Sequence, residues 1–140
     1  MSEALKLKNQ LCFPLYACAK EVVRRYTPLL EPLGLTYTQY IAMLVMWEHK
    51  SITVKDLGKL LYLDSGTLTP MLKKMEKAGM LVRERSKEDE RQVIVTITEA
   101  GENLKAEAEE VPVKMAQCVT LDNEEAVQLY NLLYKLLSIV

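Results

Sequence analysis

The most reactive groups in the 140-residue sequence are three thiols, Cys12, Cys18 and Cys118. A thiolate attacks peroxides and disulfides, whereas a cysteine on an apolar helix face ordinarily behaves as a small inert hydrophobe. Their odd number and wide spacing give no disulfide framework. The single histidine, His49, stands beside Trp47 and Glu48 at a helix end without a metal-ligating or catalytic partner at the required spacing, and reads as a helix-end group. No catalytic residue, metal or cofactor is expected. A second kind of chemistry is binding. The hydroxyls of Ser65, Thr67 and Thr69 can donate or accept, and Lys73, Lys74 and Lys77 follow them closely. Further on, Arg85, Lys87 and Arg91 surround Glu88, Asp89 and Glu90, with Asp89 placed to brace Arg91.

Hydropathy supplies the frame for these groups. Leu11, Leu15, Tyr16, Ala19, Val22, Val23 and Tyr26 recur at helical spacing and predict a first helix ending near Pro28, with Pro14 either in its first turn or kinking it. Residues 38–48 predict a short apolar helix. Thr53 is placed to cap another at 54–61, with Asp56 at the capping-box position. Leu68, Met71, Leu72 and Met75 then form one buried stripe, and Gly79 is a stop signal. Local rules start this helix near Thr69, because Pro70 belongs in a first turn. From Met80 the period changes to two. Strands are predicted at 80–84 and 93–97, joined by the charged tip at 85–91. Thr98 and Gly101 open a long helix through Glu110, bent or ended near Pro112. The last helix, 123–140, is apolar around too much of its circumference to stand alone, so a second copy of the chain is the economical cover. Met43, Met46, Met71, Met75 and Met80 fit core spacing.

The fold class is therefore mainly α with a small β wing, in a single compact domain. Five Gly and five Pro exclude a disordered or collagen-like chain, and no apolar run suits a membrane span. The first ten residues lack the apolar core of a signal peptide, so a cytoplasmic protein without membrane partners is expected. Overall net charge is −1, but residues 50–91 carry 10 basic and 7 acidic groups, net +3, while residues 92–140 carry 3 basic and 8 acidic, net −5. The basic middle suits an anionic partner.

Helix, turn, helix and two-stranded wing make an architecture that reads double-stranded DNA, the second helix entering the major groove by its N-terminal residues. Ser65, Thr67 and Thr69 stand there, the lysines suit phosphates, and a wing arginine suits a narrow minor groove. The block Leu63-Asp64-Ser65-Gly66-Thr67-Leu68-Thr69-Pro70-Met71-Leu72-Lys73-Lys74-Met75-Glu76 resembles the recognition helix of MarR-type regulators. So do Arg83-Glu84-Arg85-Ser86, Asp89-Glu90-Arg91, and Ile97-Thr98 with Gly101. Leu11-Cys12-Phe13 and Thr36-Tyr37-Thr38-Gln39-Tyr40 are similar to the organic hydroperoxide resistance regulator branch, OhrR. The likeness runs from about Leu11 to Gly101.

The resemblance implies a winged helix-turn-helix over 36–98, dimerisation helices at 1–35 and 99–140, and a recognition helix that starts near Ser65 despite Pro70. It implies a homodimeric repressor on a pseudo-palindromic operator, contacted through Ser65, Gly66, Thr67, Thr69, Lys73, Lys74, Arg85, Lys87, Asp89 and Arg91. It also implies that an organic hydroperoxide oxidises Cys12 and releases the DNA. Tyr26 and Tyr37 fall where family counterparts hydrogen-bond the thiol across the dimer interface, and Tyr16 lies one turn along from Cys12. Pro14 departs from the family pattern. Cys118 falls where some members carry a resolving cysteine that closes an intersubunit disulfide; a low-molecular-weight thiol is the alternative partner. Cys18 is read as structural. The rival within the fold is a MarR-type regulator of stress or virulence genes released by a small phenolic ligand. A thiol peroxidase would need a thioredoxin-like element order that is absent, and a structural helix bundle would bind no DNA.

Overall fold

The computed structural model describes residues 2–140, so Met1, the first residue of the expected terminal dimerisation segment, lies outside it. Two short 3₁₀ turns lead into α1, Cys12–Leu30. Pro14 is the third residue of α1, where a helix has no intrahelical use for the missing N–H; the first-turn alternative holds. α2 spans Tyr37–His49 and opens on a capping box, with the Thr36 hydroxyl accepting from the Gln39 N–H at 3.2 Å and the Gln39 amide oxygen accepting from the Thr36 N–H at 3.0 Å. α3, Val54–Leu61, is capped as expected by Thr53, which accepts from the Asp56 N–H at 3.1 Å.

α4 spans Ser65–Lys77, starting four residues before the position local rules favour. The Asp64 carboxylate accepts from the Thr67 N–H at 2.7 Å and fixes that start. Pro70 deprives only the carbonyl of Gly66 of its helical donor, and Gly66 is exposed, so water can serve instead. Burial of Leu68, Met71, Leu72 and Met75 holds the helix across the proline. It closes with paired bonds from the Gly79 N–H to Glu76 and the Met80 N–H to Met75, with Gly79 at φ 84°. Met80 thus belongs to the turn, and the next strand runs one residue later than predicted.

The sheet has three antiparallel strands where the sequence shows two. β1 is Ser51–Thr53, β2 Leu81–Arg85 and β3 Val93–Ile97, in the order β1-β3-β2. Arg85 faces Val93 across the wing, and Ile52 faces Val95 on the other side. Next come α5, Glu99–Ala108, and α6, Glu110–Cys118. The single long helix is interrupted at Glu109, a turn before Pro112, which has no N–H for the Ala108 carbonyl. α7 covers Asn123–Leu137.

The core lies between α2, α3, α4 and the sheet, where Met43, Met46, Leu57, Leu72, Leu81 and Val95 are fully buried. α5 is tied to it by the Trp47 indole N–H, which donates to the Gly101 carbonyl at 2.9 Å, and by the Lys50–Glu102 ion pair at 2.6 Å. A side chain at residue 101 would meet the Met80 carbonyl at 2.2 Å, so only glycine permits this approach. α7 contributes no buried residue. Tyr130 and Leu132 are 61% and 63% exposed.

Candidate nucleic-acid interface and thiol site

α3, α4 and the wing enclose an open cleft of about 1120 Å³. Ser65, Thr69 and Lys73 enter it from α4, and Arg85 and Arg91 from the wing. Gly66 and Thr67 are exposed on the first turn of α4 outside the cleft lining, and so is Lys74 further along the helix. The wing tip is held by its own polar groups. The buried Ser86 hydroxyl accepts from the Glu88 and Asp89 N–H groups, both at 3.2 Å. Asp89 accepts from the backbone N–H and the Nε of Arg91, at 3.1 and 3.2 Å, the brace read from the sequence. Arg85 donates to the Glu90 carbonyl at 2.8 Å, and Lys87 is exposed. Sequence reasoning passed over Ser86, whose signal is a hydroxyl two and three residues before exposed turn amides.

The cleft also contains residues that the sequence reading missed. Lys55 and Lys59 face it from α3, Tyr62 from the turn that follows, and Arg83 from β2. Arg83 is committed to Glu76, which accepts its backbone N–H at 2.8 Å and its Nε at 3.3 Å. The backbone hydrogen bond is the main cause that holds the Glu76 carboxyl below its ordinary 4.5.

The thiols lie elsewhere. Among the described residues all three cysteines are free and exposed. Cys12 is the first residue of α1, between exposed Leu11 and Phe13. Tyr26 and Tyr37 come together with ring centroids 4.8 Å apart in an edge-to-face pair. Tyr40, which sequence reading left out of the site, joins them at 5.7 and 6.3 Å. Burial raises the pKa of all three phenols above the ordinary 10.0, assisted at Tyr26 by Tyr37 and at Tyr40 by both neighbours. They are hydrogen-bond donors at neutral pH. Cys12 cannot use them within one chain, because fourteen residues of helix put Tyr26 about 21 Å further along α1. Tyr16 makes no hydrogen bond to Cys12 among the described residues, and its ring instead lies 5.9 Å from the Lys20 ammonium. Cys118 ends α6, whose first turn shares a small cleft with Leu29 and Leu33.

Comparison with known proteins places this arrangement. The pattern that describes the transcriptional regulators SarA/Rot matches residues 24–108. The chain is 50% identical over 134 residues to the organic hydroperoxide resistance transcriptional regulator of Bacillus subtilis (strain 168), spanning 96% of this chain and 91% of that one. The chain belongs to the MarR family of transcriptional regulators, in its OhrR branch. It is a DNA-binding transcriptional regulator, and its fold is the winged helix of that family. The regulator is also similar to AbfR of Staphylococcus epidermidis. Against reduced AbfR bound to DNA the TM-score is 0.80 at 35% identity, covering 99% of this chain and 96% of that one. Against disulfide-formed AbfR it is 0.66 at 37% identity, covering 94% and 95%. Among the described residues no helix is long and apolar enough to cross a membrane.

Proposed function

We propose that the chain is a homodimeric, cytoplasmic repressor that releases its operator when an organic hydroperoxide oxidises Cys12. The observation that carries this is a divided site. An exposed thiol stands at one end of α1, and three protonated phenols gather about 21 Å away at the other. A second copy running antiparallel would bring the thiol of one chain to Tyr26 and Tyr37 of the other, with Tyr16 flanking it. The pairing surfaces are 1–35 and 99–140, where Leu11, Val113, Tyr130 and Leu132 are exposed. Two copies of the 36–98 unit would then address successive major grooves of a pseudo-palindromic site.

In the chemical step the Cys12 thiolate attacks one peroxide oxygen, an S–O bond forms and the O–O bond breaks. The sulfur is oxidised to a sulfenic acid, the peroxide is reduced, and its alkoxide takes a proton to leave as an alcohol. Tyr26 and Tyr37 donate hydrogen bonds to the thiolate. Leu11, Phe13 and Leu15 favour an alkyl or lipid peroxide over hydrogen peroxide. The sulfenic acid then condenses with a second thiol and loses water. Cys118 of the partner copy or a low-molecular-weight thiol fills that role. Each release consumes Cys12 and its partner thiol without regenerating them, so the chemistry is signalling rather than turnover. On DNA, Ser65, Gly66, Thr67 and Thr69 face base edges and phosphates, Lys73, Lys74 and Lys87 neutralise phosphates, and Asp89 aims Arg91 while Arg85 steadies the tip.

The test is release of labelled operator DNA from the reduced protein as an organic hydroperoxide is added. Wild type is expected to release at near-stoichiometric peroxide, and Cys12→Ser to stay bound. Tyr26→Phe and Tyr37→Phe each remove about 1.4 kcal/mol of thiolate stabilisation and need about tenfold more peroxide. Release of Cys12→Ser at the wild-type concentration would overturn the proposal. For the second thiol, a covalent dimer formed by Cys118→Ser would remove Cys118 from its role.

A further inference from the structure

The three phenols near the end of α1 are not equivalent. Tyr26 comes from α1, whereas Tyr37 and Tyr40 come from the start of α2, three residues apart and so on one helix face. That first turn is fixed by the Thr36–Gln39 capping box and by the Tyr40 N–H, which donates to the Thr36 carbonyl at 2.9 Å. Tyr26 and Tyr37 are half-buried against the core. Tyr40 is part of the core, with 4% of its surface exposed. Its ring is tilted by 39° to Tyr26 and by 55° to Tyr37, and both centroid distances fall within the range at which aromatic rings attract. The anchored ring thus borders both members of the edge-to-face pair.

We infer that Tyr40 is a positioning residue of the thiol sensor, its buried ring holding Tyr26 and Tyr37 with their hydroxyls aimed at the Cys12 of a second copy. This rests on the proposed contact between that thiol and the two phenols, and names the residue that keeps the donors aligned. A hydrogen bond weakens steeply once its angle falls below about 120°, so two donors without a rigid floor would stabilise a thiolate poorly. A smaller side chain at position 40 leaves a void into which Tyr26 and Tyr37 can settle, and their hydroxyls then lose their aim.

The experiment measures the Cys12 thiol pKa in the reduced protein from the pH dependence of alkylation by iodoacetamide, read on the Cys12 peptide by mass. Y40L is expected to raise that pKa by about one pH unit, a tenfold loss of thiolate at any pH well below it. Y40F keeps the ring and is expected to restore the wild-type value. In a Y26F/Y37F background Y40L should add nothing, because Tyr40 acts only through those two phenols. L72A, a core variant on α4, should lower stability and keep the wild-type thiol pKa, which separates the effect from a general loosening of the core. Y40M, larger than Y40L, gives the same reading should Y40L not fold. A wild-type pKa in Y40L, a Y40F thiol shifted as far as that of Y40L, or an undiminished Y40L shift in Y26F/Y37F would overturn the positioning role while leaving the sensor reading intact. An identical Cys12 pKa in wild type and Y26F/Y37F would overturn both.

Discussion

Leu72 and Leu132 are the same residue type in opposite circumstances. Leu72 on α4 is wholly buried, whereas Leu132 on α7 is 63% exposed. The contrast holds for their regions. From α2 to β3, one chain closes its own core over Met43, Leu57 and Val95, and every strand finds a partner. Along α7 and most of α1 the apolar residues face outward, and only the C-terminal end of α1, at Leu30, enters the core. The cleft of α3, α4 and the wing lies on the finished region and the Cys12 thiol on the unfinished one. On the proposed function, oxidation at Cys12 would act on how two finished units are spaced rather than on their internal fold, a rigid-body mode of switching.

That contrast can be broken at several points. Leu72→Ala should cost about 2–5 kcal/mol of unfolding free energy, read by denaturant titration. The loss should be independent of protein concentration. Leu132→Asp should leave the winged region folded but weaken self-association by about 3 kcal/mol, more than 100-fold, read by sedimentation. If it instead lowers stability at every concentration, α7 packs within its own chain. Gly101→Ala tests the joint between the regions, because the added methyl meets the Met80 carbonyl; a loss of about 1–3 kcal/mol in melting experiments is expected. Asp64→Ala removes only the cap of α4 and should cost about 1 kcal/mol. The smallest effect is alkaline. Tyr26, Tyr37 and Tyr40 have raised folded pKa values, so their contribution is full below about pH 10 and is lost as pH rises through those values. Wild type should lose melting temperature above pH 10 more steeply than Tyr37→Phe.

What could be read from the sequence divides along the same line. The α4 stripe, the Thr53 cap and the wing alternation are local patterns, and each appears where expected to within one residue. Pro70 misled because a proline rule counts one lost hydrogen bond and cannot see the four buried side chains that outweigh it. β1 was illegible because three residues define no period, and their partner lies more than forty positions away. Tyr40 joins the phenol cluster only through the packing of α2 on α1, and Lys55 and Lys59 join the cleft only through the fold that sets α3 beside α4 and the wing. The resemblance puts Cys12 on the first helix, and it is the first residue of α1. That no tyrosine of the cluster can reach it in its own chain required the geometry of α1.

The central claim is most directly tested by intact mass on reduced, DNA-bound protein treated with one equivalent of an organic hydroperoxide, with DNA release followed in the same sample. A gain of about 16 Da or a covalent dimer, mapped to Cys12 and concurrent with release, is the predicted result. An unmodified Cys12 in protein that has released its DNA would contradict it.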